Sequence, residues 1–174
     1  MQIQNTTIEV RQGDIASQKD LEAIVNAANA ELQTGGGVAG AIHNAAGPGL
    51  AKECEPKAPI SPGEAVISGA HNLPNKHVIH CLGPVYGKDK PADELLANCY
   101  RNSIKLAEEN GIESIGFPAI STGAFGYPFD EAVKIAIETS IEECKSANSL
   151  KLLRFVLFSE SQLKKFKEIL ESQG

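Results

Sequence analysis

Three segments of the chain carry residue types and spacings suited to holding an anion. In the first, Val25-Asn26-Ala27-Ala28-Asn29 precedes Gly35-Gly36-Gly37, and Val38-Ala39-Gly40-Ala41-Ile42-His43 follows at once. An apolar strand signal leads into a glycine run, and the run opens a helix of small residues. Glycines let a ligand approach the main chain without meeting a Cβ. Free N–H groups at a helix start favour a phosphate there. The run is not G-x-G-x-x-G, and it is not a P-loop, because no Gly-Lys-Ser/Thr follows. Taken alone it also fits a plain flexible loop.

The second segment is Pro118-Ala119-Ile120-Ser121-Thr122-Gly123-Ala124-Phe125-Gly126-Tyr127-Pro128. It follows a strand pattern and precedes a helical one, so its amides can form a second anion-binding concavity. Phe125 lies between glycines with no large apolar residue adjacent to it. It either stacks on a sugar or base, or folds back into the core. The third segment is Gly13-Asp14-Ile15. Its carboxylate can accept from a ligand's amino group or cap the following turn, and local sequence favours the cap.

The histidines point away from metal chemistry. His77 and His80 are an odd number of positions apart on one predicted strand, so they face opposite sides. His43 lies on the helix opened by the glycine run. By itself it reads more readily as a hydrogen-bonded structural residue than as a base. No zinc ligand set is evident, and no cofactor is expected.

These segments must be positioned by a regular frame. Strand-type runs cover Gln2–Val10, Glu22–Ala27, Ala65–Ser68, His77–Leu82, Ser114–Ile120 and Leu152–Phe158, the last near-continuously apolar, as for a strand buried on both faces. Helical spacing covers Val38–Ala46, Ala92–Asn110, Asp130–Lys145 and Ser159–Glu171. Strands separated by helices predict an α/β sandwich of three layers with a mostly parallel sheet. Ligands bind such sheets at the carboxyl ends of strands, and the two glycine-rich segments fall at two of those ends.

At 174 residues the chain fits one domain spanning residues 1–174. The net charge of −6 and pI near 5.2 argue against duplex nucleic acid, which basic surfaces bind. Met1–Asn5 does not read as a signal peptide, and the uncharged stretch Ser114–Phe129 is broken by Pro118, Pro128 and three glycines. A cytoplasmic location without membrane contact is therefore expected; a monomer is also expected. Cys54, Cys81, Cys99 and Cys144 form no C-x-x-C pair and read as buried free thiols.

Taken together, Gly13-Asp14-Ile15, Ile24–Asn29, Gly35–Val38 and Ile120–Gly126 resemble the four signatures of the macrodomain family, which binds ADP-ribose. The resemblance runs from about Glu9 to Lys164. It implies that Asp14 takes the adenine amino group, with Ile15 beside the ring and Phe158 packed on it. The same resemblance has Gly35–Val38 and Ser121, Thr122, Gly123, Ala124, Phe125 and Gly126 cradle the diphosphate, and Asn26 joins the binding set. Asn29 would bond the distal ribose, with Phe125 against it. For catalysis it implies Asn29, Gly35, Gly36, His43 and Phe125.

The expected activity is hydrolysis of ADP-ribosyl esters, on protein Asp or Glu or in O-acetyl-ADP-ribose. The expected partners are ADP-ribose, ADP-ribosylated protein and O-acetyl-ADP-ribose. One position departs from the pattern: MacroD-type hydrolases carry Asp where this chain has Ala39. That departure leaves a non-catalytic reader of ADP-ribose as the alternative. Viral macrodomains with a similar Gly-Gly-Gly-Val-Ala-Gly stretch nevertheless hydrolyse such esters, the ligand's phosphate and backbone groups positioning the water.

Overall fold

A computed structural model describes residues 1–174. Its centre is a seven-stranded sheet in the order β1-β2-β7-β6-β3-β5-β4. The strands are β1 (Gln2–Ile3), β2 (Thr6–Gln12), β3 (Ala23–Ala27), β4 (Ala65–Gly69), β5 (His77–Cys81), β6 (Ser114–Phe117) and β7 (Leu152–Leu157). Only the outermost pairings, β1 with β2 and β4 with β5, are antiparallel. The four inner pairings are parallel. The expected mixed, mostly parallel sheet is present.

Helices cover both faces. On one lie α3 (Ala92–Glu109), α4 (Phe129–Cys144) and α5 (Glu160–Gln173); on the other lie α1 (Gly37–Ala46) and α2 (Gly49–Cys54). Strand alternation divides the core accordingly. Leu153, Phe155 and Leu157 face the three-helix side, where Phe155 meets the rings of Phe117, Tyr100 and Phe166 at centroid distances of 6.1, 6.3 and 5.1 Å. Each such pair contributes about 0.5–1.5 kcal/mol beyond area burial. Val156 joins Ile24, Ile42, Leu50 and Val78 on the other side.

Several boundaries differ from the sequence reading, each for a local reason. The first strand run is two strands, because Gln4 adopts a φ of 52° and turns the chain between β1 and β2. The run from Ser114 ends at Phe117, where Pro118 offers no N–H to continue the ladder. The short α2 and the single turn Ile15–Ser17 carry too few residues for a period to show. All four cysteines are buried free thiols, as expected. No helix is long and apolar enough to cross a membrane.

Beneath α1 and α2 the sheet buries a polar group. His80 is wholly buried, with Nε2 2.9 Å from Ser68 Oγ and Nδ1 3.1 Å from Asn26 Nδ2. An amide donating to Nδ1 puts the ring proton on Nε2, so the imidazole is neutral. Burial, reinforced by nearby His43, pushes its pKa from 6.5 down to about 4. Protonation therefore favours the unfolded chain. Stability from this group is complete above pH 6.5 and is lost as pH falls toward 4, by up to about 3 kcal/mol. The melting temperature of wild type should fall over that window, and more steeply than that of His80→Gln. Parallel curves would exclude this origin.

Candidate functional site

The chain leaves β3 toward α1 on one face and leaves β6 toward α4 on the other. Since β3 and β6 are neighbours, their exit loops diverge and open a crevice at the strand tips. The tips of β2 and β7 extend it. The crevice holds a cavity of about 650 Å3.

One end of the cavity is built by the segments after β2 and β7. The Gly13 amide donates to Leu157 O at 2.9 Å, which ties the two tips together. Asp14 caps the Ile15–Ser17 turn, one carboxylate oxygen accepting from Ala16 N at 2.9 Å. Its other oxygen accepts from no protein group. Ile15 is buried beneath. Phe158 is 87% exposed, an unusual placement for a large apolar ring. Gln12, Val156 and Gln162 complete this end.

The middle is built by two loops of main chain. Gly37 has a φ of +55°, a conformation that L side chains rarely adopt, and it opens α1. A Cβ on Gly40 would lie 2.5 Å from Gly35 O, so the loop can fold down on the first turn of α1 only because Gly40 has no side chain. The amides of Gly35, Gly36, Gly37, Val38 and Ala39 donate to no protein acceptor.

Opposite them, Ser121 holds a φ of +66°. Its Oγ donates to Pro84 O at 2.9 Å, and its carbonyl accepts from Tyr127 N at 2.9 Å. The amides of Gly123, Ala124 and Phe125 likewise donate to no protein group. Gly37, Val38, Thr122 and Gly123 line the cavity, and no Lys or Arg does. The attraction for an anion therefore comes from oriented amide dipoles rather than from side-chain cations. This is how a chain of net charge −6 can present an anion site.

Beyond the cavity the same loops carry Asn29, Gly35, Gly36 and Phe125. Asn29 braces its own loop, Nδ2 donating to Gln33 O at 2.8 Å and Oδ1 accepting from Gln33 N at 3.0 Å. Phe125 is half-buried, its ring against the α1-side core; Tyr86 N donates to its carbonyl at 2.8 Å.

Two residues singled out by the sequence are not brought to the cleft. Asn26 is wholly buried against His80, because strand alternation turns it under α1 with Ile24. His43 is 6% exposed, lies on the inner side of α1 and leaves Nε2 without a protein partner. Burial also lowers its pKa. Ala39 is buried as well, and the first turn of α1, Gly37-Val38-Ala39-Gly40, contains no ionisable side chain. The sequence reading missed Gln12, Ala41, Val156 and Gln162. Val156 was detectable, since it shares a strand face with Phe158, two positions on.

A second cavity of about 490 Å3 lies between β4 and α3, lined by Lys57, Glu64, Lys105 and Glu109 among others. It has mixed charge, and no residue of the two free-amide runs, Gly35–Ala39 and Gly123–Phe125, lines it.

A parallel-cored sheet with amide loops meeting at its switch point defines a three-layer α/β domain. The Macro domain family model matches residues 25–136, and the chain belongs to that family. An O-acetyl-ADP-ribose deacetylase of Citrobacter rodentium is 43% identical over 175 residues, covering 98% of each chain. The Oceanobacillus iheyensis macrodomain with ADP superposes with a TM-score of 0.94 at 41% identity, over 99% of this chain and 94% of that one. The Trypanosoma brucei macrodomain in complex with ADP-ribose gives 0.85 at 37% identity, over 92% and 68%.

Proposed function

We propose that the cleft binds ADP-ribose and that the protein hydrolyses esters of it, in O-acetyl-ADP-ribose and in mono-ADP-ribosylated Asp or Glu. The observation that carries this reading is the pair of unpartnered amide runs, Gly35–Ala39 and Gly123–Phe125, facing each other between an exposed aromatic ring and a half-free carboxylate. A nucleoside diphosphate matches each part. Adenine lies against Phe158 and donates its amino hydrogen to the free oxygen of Asp14. The diphosphate takes the amides. The distal ribose falls between Asn29 and Phe125. The names of the deacetylase relatives and the nucleotides in the related structures support the same assignment.

For the reaction, a water adds to the ester carbonyl carbon. In this reading the main-chain N–H groups of Gly35 and Gly36, which have no protein acceptor, stabilise the charge that develops on oxygen, and the rest of the run is left to the diphosphate. The ester C–O bond then breaks, the acid departs, and the ribose oxygen recovers a proton. No side chain of α1's first turn can act as a base, so the water is held by main chain, Asn29 and the ligand's own phosphate. Ala39 is also the observation that favours the second reading, a reader that binds without turnover.

Incubation with O-acetyl-ADP-ribose and with a protein mono-ADP-ribosylated on Glu separates the two. Release of acetate or of ADP-ribose above the buffer rate is expected. Binding of ADP-ribose by calorimetry without any release would leave the reader alone, and absence of binding would remove both.

A further inference from the structure

Arg154 is the largest fully buried side chain, and nothing in the hydrolytic reading uses it. It lies in the middle of β7, two positions before Val156, and faces the α1 side of the sheet. Its guanidinium makes four short hydrogen bonds. Nε donates to Glu9 Oε2 at 2.8 Å, Nη1 to Gln18 Oε1 and Asp20 Oδ1 at 2.9 Å each, and Nη2 to Asp20 Oδ2 at 2.7 Å. A lysine could not hold three acceptors in this forked geometry.

The chain of contacts continues. Gln18 Nε2 donates to the main-chain carbonyl of Asp14 at 2.8 Å. That carbonyl also accepts from Ser17 N at 3.0 Å. The Gln18 amide lies under Gly13, whose Cβ, if present, would be 3.3 Å from Nε2. Gln18 thus links the buried guanidinium to the backbone of the exposed Asp14. A buried ion pair is weak evidence for stability, because desolvation offsets much of the attraction. Ordering a loop whose carboxylate must point at a ligand is the role this geometry suits.

We propose that Arg154 and Gln18 are positioning residues for recognition of the base: they fix the Asp14 main chain so that its free carboxylate oxygen faces an exocyclic amino group. This deepens the ADP-ribose reading and rests on it. The relay makes the site select an amino-bearing purine over one with a carbonyl at the same place, whose oxygen would meet the carboxylate's lone pairs.

Gln18→Glu tests the relay with little change of shape. The new carboxylate still accepts from Arg154, but it cannot donate to Asp14 O and opposes it. The measurement is the ratio of dissociation constants for ADP-ribose and its hypoxanthine counterpart, in wild type and variant. Wild type should prefer adenine, and Gln18→Glu should shrink that preference about 3- to 10-fold. The hypoxanthine ligand should bind the variant within about twofold of wild type, since it makes no such contact. Arg154→Lys should narrow the ratio in the same direction; if it fails to fold, Gln18→Glu still decides. An unchanged ratio, or equal weakening of both ligands, would overturn the relay and leave the ADP-ribose site standing. Failure of wild type to bind either ligand would overturn both.

Discussion

Gly40→Ala should weaken ADP-ribose binding at least about tenfold, or about 1.4 kcal/mol. The added methyl would sit 2.5 Å from the carbonyl oxygen of Gly35. That partner is main chain, so no flexible side chain can yield to it. Either α1 shifts or the Gly35–Gly37 loop lifts. Both movements carry the amides of Gly35–Val38 away from the position they hold over the cleft. The overlap should also lower stability, by about 1–3 kcal/mol as for other overpacked contacts. Calorimetric titration with ADP-ribose, on protein shown to be folded by its thermal transition, reads the effect. Undiminished affinity would mean that the amide loop does not hold the diphosphate.

Asn29→Ala should strike turnover harder than binding. Its amide both closes the Asn29–Gln33 loop, through bonds of 2.8 and 3.0 Å, and lies against Gly35, 3.4 Å from where a Cβ would stand. Loss of it frees the loop that carries the Gly35 and Gly36 amides and removes the side chain proposed to bond the distal ribose. A donor that acts on developing charge is worth about 10²–10³ in rate. The expectation is a drop of about 10²-fold in kcat/KM for O-acetyl-ADP-ribose. ADP-ribose affinity, which the proposed binding mode assigns mainly to the diphosphate and base ends, should fall less than about tenfold. His43→Ala provides the contrast. His43 is buried and faces away from the cleft, so its loss should lower the melting temperature and leave kcat/KM near wild type. Equal turnover in Asn29→Ala and wild type would remove Asn29 from the reaction.

Much of the frame was legible because its signals are local. Leu152–Leu157 is apolar at nearly every position, and α3 and α4 carry long helical periods, so short-range pattern sufficed to place them. The glycine segments were legible for the same reason: Gly37 and Gly126 have positive φ, and their residue type records it. Ser121 also has positive φ, but serine carries no such mark. Its conformation comes from Pro84, contributed by a distant loop. Asp14 was readable as both cap and ligand group, and it is a cap with one oxygen to spare.

Asn26 and His43 were harder. Each stands inside a motif whose neighbours reach the cleft, but the strand's two-residue alternation and the helix's inward stripe turn both side chains to the sheet. Arg154 was invisible as anything but a charge in an apolar strand, since its partners Glu9, Gln18 and Asp20 lie more than 130 residues away in sequence.

By itself the sequence determined the alternation of strands and helices, the positions of the two glycine loops and the absence of cationic residues from them. Those properties depend on residue type and short spacing. Which amides face each other, which polar side chains are buried, and how a buried guanidinium reaches the Asp14 loop were decided only in the tertiary structure. The physical reason is that parallel pairing joins segments remote in the chain, and the crevice exists only where two adjacent strands send their loops to opposite faces.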